Sequence, residues 1–160
     1  MQNFEKILLL IGRLNYTWTN TESLLIHLIA GLAKVEKETA IVIFLTLNTT
    51  RARIDLVERL AKMAKTPRQC RDDVLPLLER LNQQAKLRNK YSHCIYSFDA
   101  KGDISHTHLM RIFDGKETIK YGKVEALDNE ETGRISACIQ DIAAVNKEIW
   151  AVIRANGFPQ

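Results

Sequence analysis

Seven large apolar side chains and one threonine recur in steps of three and four residues along residues 7–32, and this spacing most limits what the chain can fold into. The positions are Ile7, Ile11, Leu14, Trp18, Thr21, Leu25, Leu28 and Leu32. Such steps keep side chains on one face of an α-helix over about seven turns. The pattern therefore predicts a long helix over about 4–33, in which Thr17, Thr19 and Thr21 favour a kink because threonine is a weak helix former.

The same spacing predicts three further helices, over about 37–65, 69–93 and 129–155. Thr66-Pro67 separates the first two of these, since the residue before a proline is pushed out of the helical region. Pro76 falls in the first turns of the third predicted helix, where a missing N–H is best tolerated.

Between the last two helices the period changes to two. Ile104, His106, His108, Met110 and Ile112 alternate with their neighbours, and Asp114-Gly115 is a strong hairpin signal. We expect a small antiparallel hairpin or three-stranded meander at about 95–125. The predicted fold is mainly α: one domain over 1–160, a four-helix bundle with this β insertion between helices 3 and 4.

The start of the chain, its apolar runs and its cysteines indicate in which cellular compartment the protein is expected. Residues 1–6 lack the basic start of a signal peptide, and no apolar run approaches the roughly 20 residues needed to cross a bilayer. Cys70, Cys94 and Cys138 are far apart and form no C-x-x-C pair, which argues against a disulfide framework or a zinc site. We expect a cytoplasmic protein with reduced cysteines and no membrane partner.

Positive charge is concentrated in the middle of the chain. Residues 51–90 hold eleven Lys/Arg and five Asp/Glu, a net charge of +6, whereas the whole chain carries +4. A basic segment of this kind suits contact with a phosphate backbone, and it is also typical of a solvated helix face.

Polar residues interrupt the apolar stripes of two predicted helices. On a helical wheel Arg88 and Asn89 lie within about 60° of the direction of Val74, which starts the stripe of the third helix. Glu22 likewise lies in the stripe of the first helix. Because burying arginine without a partner is costly, we predict an ion pair of Glu22 with Arg88, with Arg51 as the alternative base. Such a pair would order the bundle whether or not the protein is an enzyme.

Residues 88–93 carry groups suited to phosphate chemistry. Asn89 and His93 are four residues apart and share a helix face, whereas Arg88 is about 140° from His93 on an ideal helix. Histidine exchanges protons near neutral pH, and arginine clamps a phosphate through two hydrogen bonds. RNA cleavage that uses the ribose 2′-hydroxyl as nucleophile needs no metal or other cofactor.

Arg88-Asn89-Lys90-Tyr91-Ser92-His93 resembles the R-x4-6-H motif of the HEPN superfamily, near the end of a late helix in a small bundle. The resemblance implies a metal-independent endoribonuclease that leaves 2′,3′-cyclic phosphate, often a toxin or phage-defence component with an antitoxin or defence-system partner protein. It also implies a homodimer with a composite active site that binds RNA.

By this resemblance Arg88, His93 and Asn89 are the catalytic residues, and Tyr91, Ser92 and Tyr96 support them. One HEPN branch extends the motif to R-x4-H-x-Y. This chain departs from that branch, because Ile95 stands where the tyrosine is expected and Tyr96 follows one place late.

Two other functions fit the same sequence. A non-catalytic HEPN-like bundle would act as an interaction or regulatory module. A nucleic-acid-binding helical protein would instead use the basic segment 51–90, and its binding would weaken steeply with salt.

Overall fold

A computed structural model describes residues 2–160, with side chains from Asn3 onward. It confirms a mainly helical chain with a small antiparallel sheet between the last two helices. The helices within this range are α1 (Gln2–Glu22), α2 (Leu25–Ala33), α3 (Lys37–Thr46), α4 (Thr50–Ala61), α5 (Arg68–His93) and α6 (Asn129–Ala155). The strands are β1 (Cys94–Phe98), β2 (Ile104–Leu109), β3 (Ile112–Asp114), β4 (Ile119–Tyr121) and β5 (Val124–Ala126). Among the described residues, no helix is both long enough and apolar enough to cross a bilayer.

The helix predicted over 4–33 is interrupted between α1 and α2. The N–H of Leu24 donates to the Thr21 carbonyl at 3.0 Å, a three-residue step instead of the four-residue step of an α-helix. The Ser23 hydroxyl also donates to the Asn20 carbonyl at 2.9 Å. Leu24 nevertheless keeps helical angles of φ −67° and ψ −18°, so the interruption is a locally tightened turn that follows the predicted threonine-rich stretch.

The segment predicted as one helix over 37–65 holds two helices, α3 and α4. The chain is extended at Leu47 (φ −79°, ψ 113°), and the Thr49 side chain accepts the Ala52 N–H at 3.1 Å as the N-cap of α4. Arg53 then donates from Nε to the carbonyls of Phe44 and Leu47, at 3.1 and 3.0 Å, and so satisfies two carbonyls at the end of α3. The apolar spacing continued through this break and concealed it.

The described residues group into two compact units. Unit 1 comprises residues 2–16 and Lys86–Gln140, and unit 2 comprises Thr17–Ala85 and Asp141–Gln160. The expectation of one domain over 1–160 stays a prediction.

Unit 2 is helical and has a closely packed apolar core. Arg80 crosses from α5 to α6 there, with 2.9 Å contacts to Asp141 and to Glu148. The fully buried side chains of this unit include Trp18, Leu25, Leu28, Ile29, Leu78, Leu81, Ile142, Ile149 and Ile153.

Unit 1 carries all five strands. An antiparallel three-stranded sheet has the order β1-β2-β5, and β3 and β4 form a separate antiparallel pair. Register places Cys94 opposite Leu109, and Thr107 opposite both Tyr96 and Glu125. These five side chains therefore share one face of the three-stranded sheet, since alternate residues of a strand point to the same side.

The β3–β4 turn differs from the two-residue loop that Asp114-Gly115 suggested. Asp114 pairs with Ile119, so four residues form the loop. The Gly115 N–H donates to the Thr118 carbonyl at 2.7 Å and closes it.

Candidate functional site

The end of α5 is joined to β1 without a loop. α5 stays helical to His93 and β1 begins at Cys94, so the last turn does not unwind. The Tyr91 carbonyl, one of those left without a helical partner, accepts a hydrogen bond from the Tyr96 hydroxyl at 2.8 Å. The Cys94 thiol approaches the same oxygen at 3.8 Å. Tyr96 thus caps the helix that carries the HEPN-like motif.

The side chains of Arg88 and Asn89 are joined directly. Arg88 is half-buried, and its Nη1 donates to Oδ1 of the exposed Asn89 at 3.0 Å. Asn89 therefore presents its amide NH₂ as the group available to a ligand. The exposed His93 lies one turn further on, as the spacing predicted, and its imidazole makes no hydrogen bond or ion pair with any of residues 3–160.

Asn89 and His93 line a cleft of about 510 Å³ within unit 1. The α5 wall of the cleft consists of Lys86, Asn89, Lys90 and His93. The opposite wall is one face of the three-stranded sheet, and it contributes Cys94, Thr107, Leu109 and Glu125. Lys123, which directly precedes β5, completes this wall. The β insertion therefore forms half of the cleft at which the motif ends.

Glu131, at the start of α6, holds the end of α5. It accepts hydrogen bonds at Oε1 from the buried Tyr91 hydroxyl and from Lys90 Nζ, the latter at 2.5 Å, and at Oε2 from Arg134 at 3.4 Å. Its own N–H donates to Asp128 Oδ1 at 2.9 Å, which makes Asp128 the N-cap of α6. The side chain of Glu131 is nearly fully buried.

Lys90 lies between two carboxylates, at 2.6 Å from Glu125 and 2.5 Å from Glu131. Burial lowers the pKa of Lys90, but the hydrogen bonds to Glu125 and Glu131 outweigh burial and raise it. Hydrogen bonds from Lys90 and Lys123 lower the pKa of Glu125 to about 2. Burial opposes the same change at Glu131, whose pKa is nevertheless lowered by Lys90 and Tyr91. Lys90 is therefore held as a charged structural group.

The two tyrosines are held in their neutral forms. Burial raises the pKa of Tyr91, and the hydrogen bond to Glu131 raises it further. Burial also raises the pKa of Tyr96, and the neighbouring Cys94 adds to that effect. Neither phenol is placed to act as a proton carrier near neutral pH.

The remaining supporting residues have other partners than the sequence suggested. Ser92 donates to Asn15 Oδ1 on α1 at 2.9 Å. Glu22 is buried as predicted, but the base that it meets is Arg53, at 3.3 Å. Arg51 is 86% exposed at its side chain and lies 3.8 Å from Asp55, so the alternative pairing with Glu22 was wrong.

Both carboxylate oxygens of Glu22 have partners within unit 2. Oε1 accepts from the Thr50 hydroxyl at 2.7 Å, and Oε2 accepts from the Trp18 indole N–H at 3.2 Å. The carboxylate is thus satisfied without the predicted pair to Arg88, and its role is to hold α1 against α4.

The basic segment 51–90 is largely neutralised. Seven of its eleven basic residues form ion pairs with carboxylates: Arg51, Arg53, Lys62, Arg68, Arg71, Arg80 and Lys90. Each paired base has part of its charge compensated, and contact of this segment with a phosphate backbone stays a prediction.

Reasoning from the sequence missed the cleft residues Lys86, Lys123 and Glu125, and also Glu131, which holds the α5 wall through Lys90 and Tyr91. For Glu131 a signal existed, since Asp128-x-x-Glu131 has the spacing of a capping box at the start of a helix. Within residues 2–160 no three His, Cys, Asp or Glu side chains are grouped so that they could hold a metal ion.

Comparisons with protein-family models, curated proteins and solved structures found no match to this chain. The HEPN resemblance thus rests on the motif and its position in the fold.

Proposed function

We propose that the protein is a HEPN-type, metal-independent endoribonuclease with Arg88, Asn89 and His93 as its catalytic residues. The main support for the proposal is that the His93 side chain is exposed and unpaired among the described residues. Its imidazole is exposed at the wall of a cleft and has no bond to the described residues, so both ring nitrogens are open to a substrate. A histidine in that condition can exchange a proton with a ribose hydroxyl.

The chemistry follows from these groups. The ribose 2′-oxygen attacks the adjacent phosphorus and loses its proton to an imidazole nitrogen of His93, while the bond from phosphorus to the 5′-oxygen breaks. The products are a 2′,3′-cyclic phosphate and a 5′-hydroxyl, whose proton comes from a second acid. Arg88, held by Asn89, supplies positive charge to the phosphate as negative charge develops on it.

Two needs lead us to include a homodimer in the proposal: a second acid for the leaving oxygen, and an arginine and a histidine that converge on one phosphate. Arg88 and His93 are about 140° apart on a helix that remains regular to its end, so one copy offers an incomplete site. In the proposed dimer the equivalent histidine of a second copy protonates the leaving oxygen. The proposal also covers a HEPN-like four-helix bundle arrangement, a cytoplasmic location, and an antitoxin or defence-system protein as partner.

The test is cleavage of a mixed RNA pool in excess EDTA. Wild-type protein should cleave it and leave 2′,3′-cyclic phosphate ends, whereas His93→Ala and Arg88→Ala should abolish cleavage. His106→Ala and Arg59→Ala are matched controls, because both residues are exposed and lie outside the cleft. Cleavage retained by His93→Ala would contradict this mechanism. A wild-type protein that never cleaves would favour the non-catalytic module.

A further inference from the structure

The cleft beside His93 has a regular arrangement of groups along its α5 wall. Lys86, Asn89, Lys90 and His93 lie within about 100° of one another around the helix axis. Lys86 and His93 are seven residues, and therefore about 10 Å, apart along that axis. Asn89 and Lys90 lie between them.

The groups of that wall that have no side-chain partner among residues 3–160 stand at its two ends, Lys86 and His93. Lys90, in the middle, is compensated by Glu125 and Glu131. The Lys86 side chain is exposed and, like the His93 imidazole, makes no hydrogen bond or ion pair with any of residues 3–160. The wall therefore offers one cationic group at one end, an imidazole at the other, and an amide donor between them.

The most buried part of the opposite wall combines the Thr107 side chain with the side chains of Leu109 and Cys94. Thr107 is 2% exposed, and Leu109 and Cys94 are half-buried beside it on the same face of the sheet. The volume, about 510 Å³, is in the range of small-ligand sites. A flat, largely apolar ring with acceptor atoms on its edge fits between such a wall and the Asn89 amide.

We propose that this cleft is a nucleobase-binding subsite for single-stranded RNA, with the phosphate on one side of the bound nucleotide at His93 and a neighbouring phosphate at Lys86. The base inserts against Leu109 and Thr107, and its edge accepts a hydrogen bond from Asn89 Nδ2. The strand is single because a base must leave its stack to enter the cleft. The choice of RNA rests on the proposed function, and the role given to the β insertion is additional to it.

Binding is measured with a fluorescently labelled single strand of 2′-O-methyl RNA, which lacks the nucleophile and so reports binding without cleavage. Leu109→Trp should fill the cleft and weaken binding at least tenfold. Val124→Trp is the matched control, because Val124 is 51% exposed on the opposite face of the same sheet and should leave affinity unchanged. The same strand annealed to its complement should bind at least tenfold more weakly.

A second variant keeps the test decisive if Leu109→Trp does not fold. Lys86→Ala removes an exposed side chain, and it should lower the slope of log affinity against log salt by about one. Lys120→Ala, exposed on β4, should not change the slope. Affinity unchanged in both Leu109→Trp and Lys86→Ala, or equal binding of single and double strands, overturns the inference.

The outcomes separate this inference from the proposed function. Binding that depends on Leu109 and Lys86, in a protein that does not cleave RNA, supports the subsite and contradicts the nuclease. Cleavage by wild type that keeps the same KM and kcat in Leu109→Trp supports the nuclease and contradicts the subsite.

Discussion

The buried hydroxyl of Tyr91 donates a hydrogen bond to the carboxylate of Glu131, 40 positions further along the chain. One partner belongs to the last turn of α5 and the other to the first turn of α6, so the bond joins the two helices on either side of the β insertion. Lys90 reaches the same carboxylate oxygen. The helix end that carries Asn89 and His93 is thereby held in place by a charge-assisted network that sequence spacing did not suggest.

Tyr91→Phe removes this hydrogen bond while keeping the ring. We expect a loss of about 1.5–3 kcal/mol in the free energy of unfolding, because the bond is buried and its acceptor is charged. Urea denaturation measures the loss. Tyr121→Phe is the control, since the side chain of Tyr121 is 75% exposed and its loss of a hydroxyl should change stability by less than about 0.5 kcal/mol. Equal stability of Tyr91→Phe and wild type would show that the bond contributes nothing net.

Glu125 should make stability depend on pH in the acid range. Lys90 and Lys123 lower its pKa in the folded protein to about 2, from an ordinary value of 4.5. Its contribution is therefore full above about pH 4.5 and is lost as the pH falls from there toward 2. We expect Glu125→Gln to be less stable than wild type at pH 7, with the difference shrinking between pH 5 and pH 2.5.

Urea midpoints at several pH values measure this difference. Glu117→Gln, in the exposed β3–β4 loop, serves as the control and should follow wild type throughout. A gap between Glu125→Gln and wild type that stays constant down to pH 2.5 would contradict the assigned ion pairs.

The long helices were predictable because one physical pattern determines them. The apolar stripe from Val74 to Ala85 predicted a helix over 69–93, and α5 spans Arg68–His93. The division of the segment 37–65 was not visible, because Leu47 and Ile54 keep the helical spacing across it. Thr49 was the local sign of the break, as threonine is a preferred N-cap.

The candidate site was predictable only where its residues share one helix. Asn89 and His93 line one cleft as their spacing of four residues implied. Leu109 and Glu125 join them through the pairing of β2 with β1 and β5. The spacing of residues within one strand does not show which other strands it will pair with. Helical spacing likewise placed Glu22 correctly on the buried face of its own helix. It did not show that the partner on another helix is Arg53.

Arg53 and Arg51 give a matched test of that correction. Arg53 donates to two carbonyls at the end of α3, lies 3.3 Å from Glu22, and covers the Phe44 ring at 4.0 Å. Lysine cannot reproduce these several directed bonds, so Arg53→Lys should lower the free energy of unfolding by about 2–4 kcal/mol.

The control for this prediction is Arg51→Lys, two residues earlier on the same helix. Its side chain is exposed, and its pair with Asp55 is a surface contact. The change should stay within about 0.5 kcal/mol by chemical denaturation. A greater loss in Arg51→Lys than in Arg53→Lys would restore Arg51 as the partner of Glu22, the alternative pairing expected from the sequence.

Gly31, in α2, should not tolerate alanine, although alanine is the better helix former. A Cβ at this position would overlap the ring of Phe158, which follows the end of α6. The Phe158 N–H donates to the Ile153 carbonyl at 3.0 Å, and Gly157 before it has φ +59°, so the chain here forms a Schellman turn that fixes the ring. The His27 ring also lies 2.8 Å from the Pro159 carbonyl. The tail therefore cannot move aside freely.

Gly31→Ala should then destabilise the protein by about 1–3 kcal/mol, measured by thermal or urea unfolding. Gly12→Ala is the opposite control, because a Cβ at Gly12 of α1 meets no atom within 4 Å and should stabilise the protein by about 0.5–1 kcal/mol. In a double-mutant cycle, Phe158→Ala should remove most of the cost of Gly31→Ala, since it removes the ring that the new methyl group would overlap. If Gly31→Ala is as stabilising as Gly12→Ala, the packing of Phe158 against α2 is not maintained in solution.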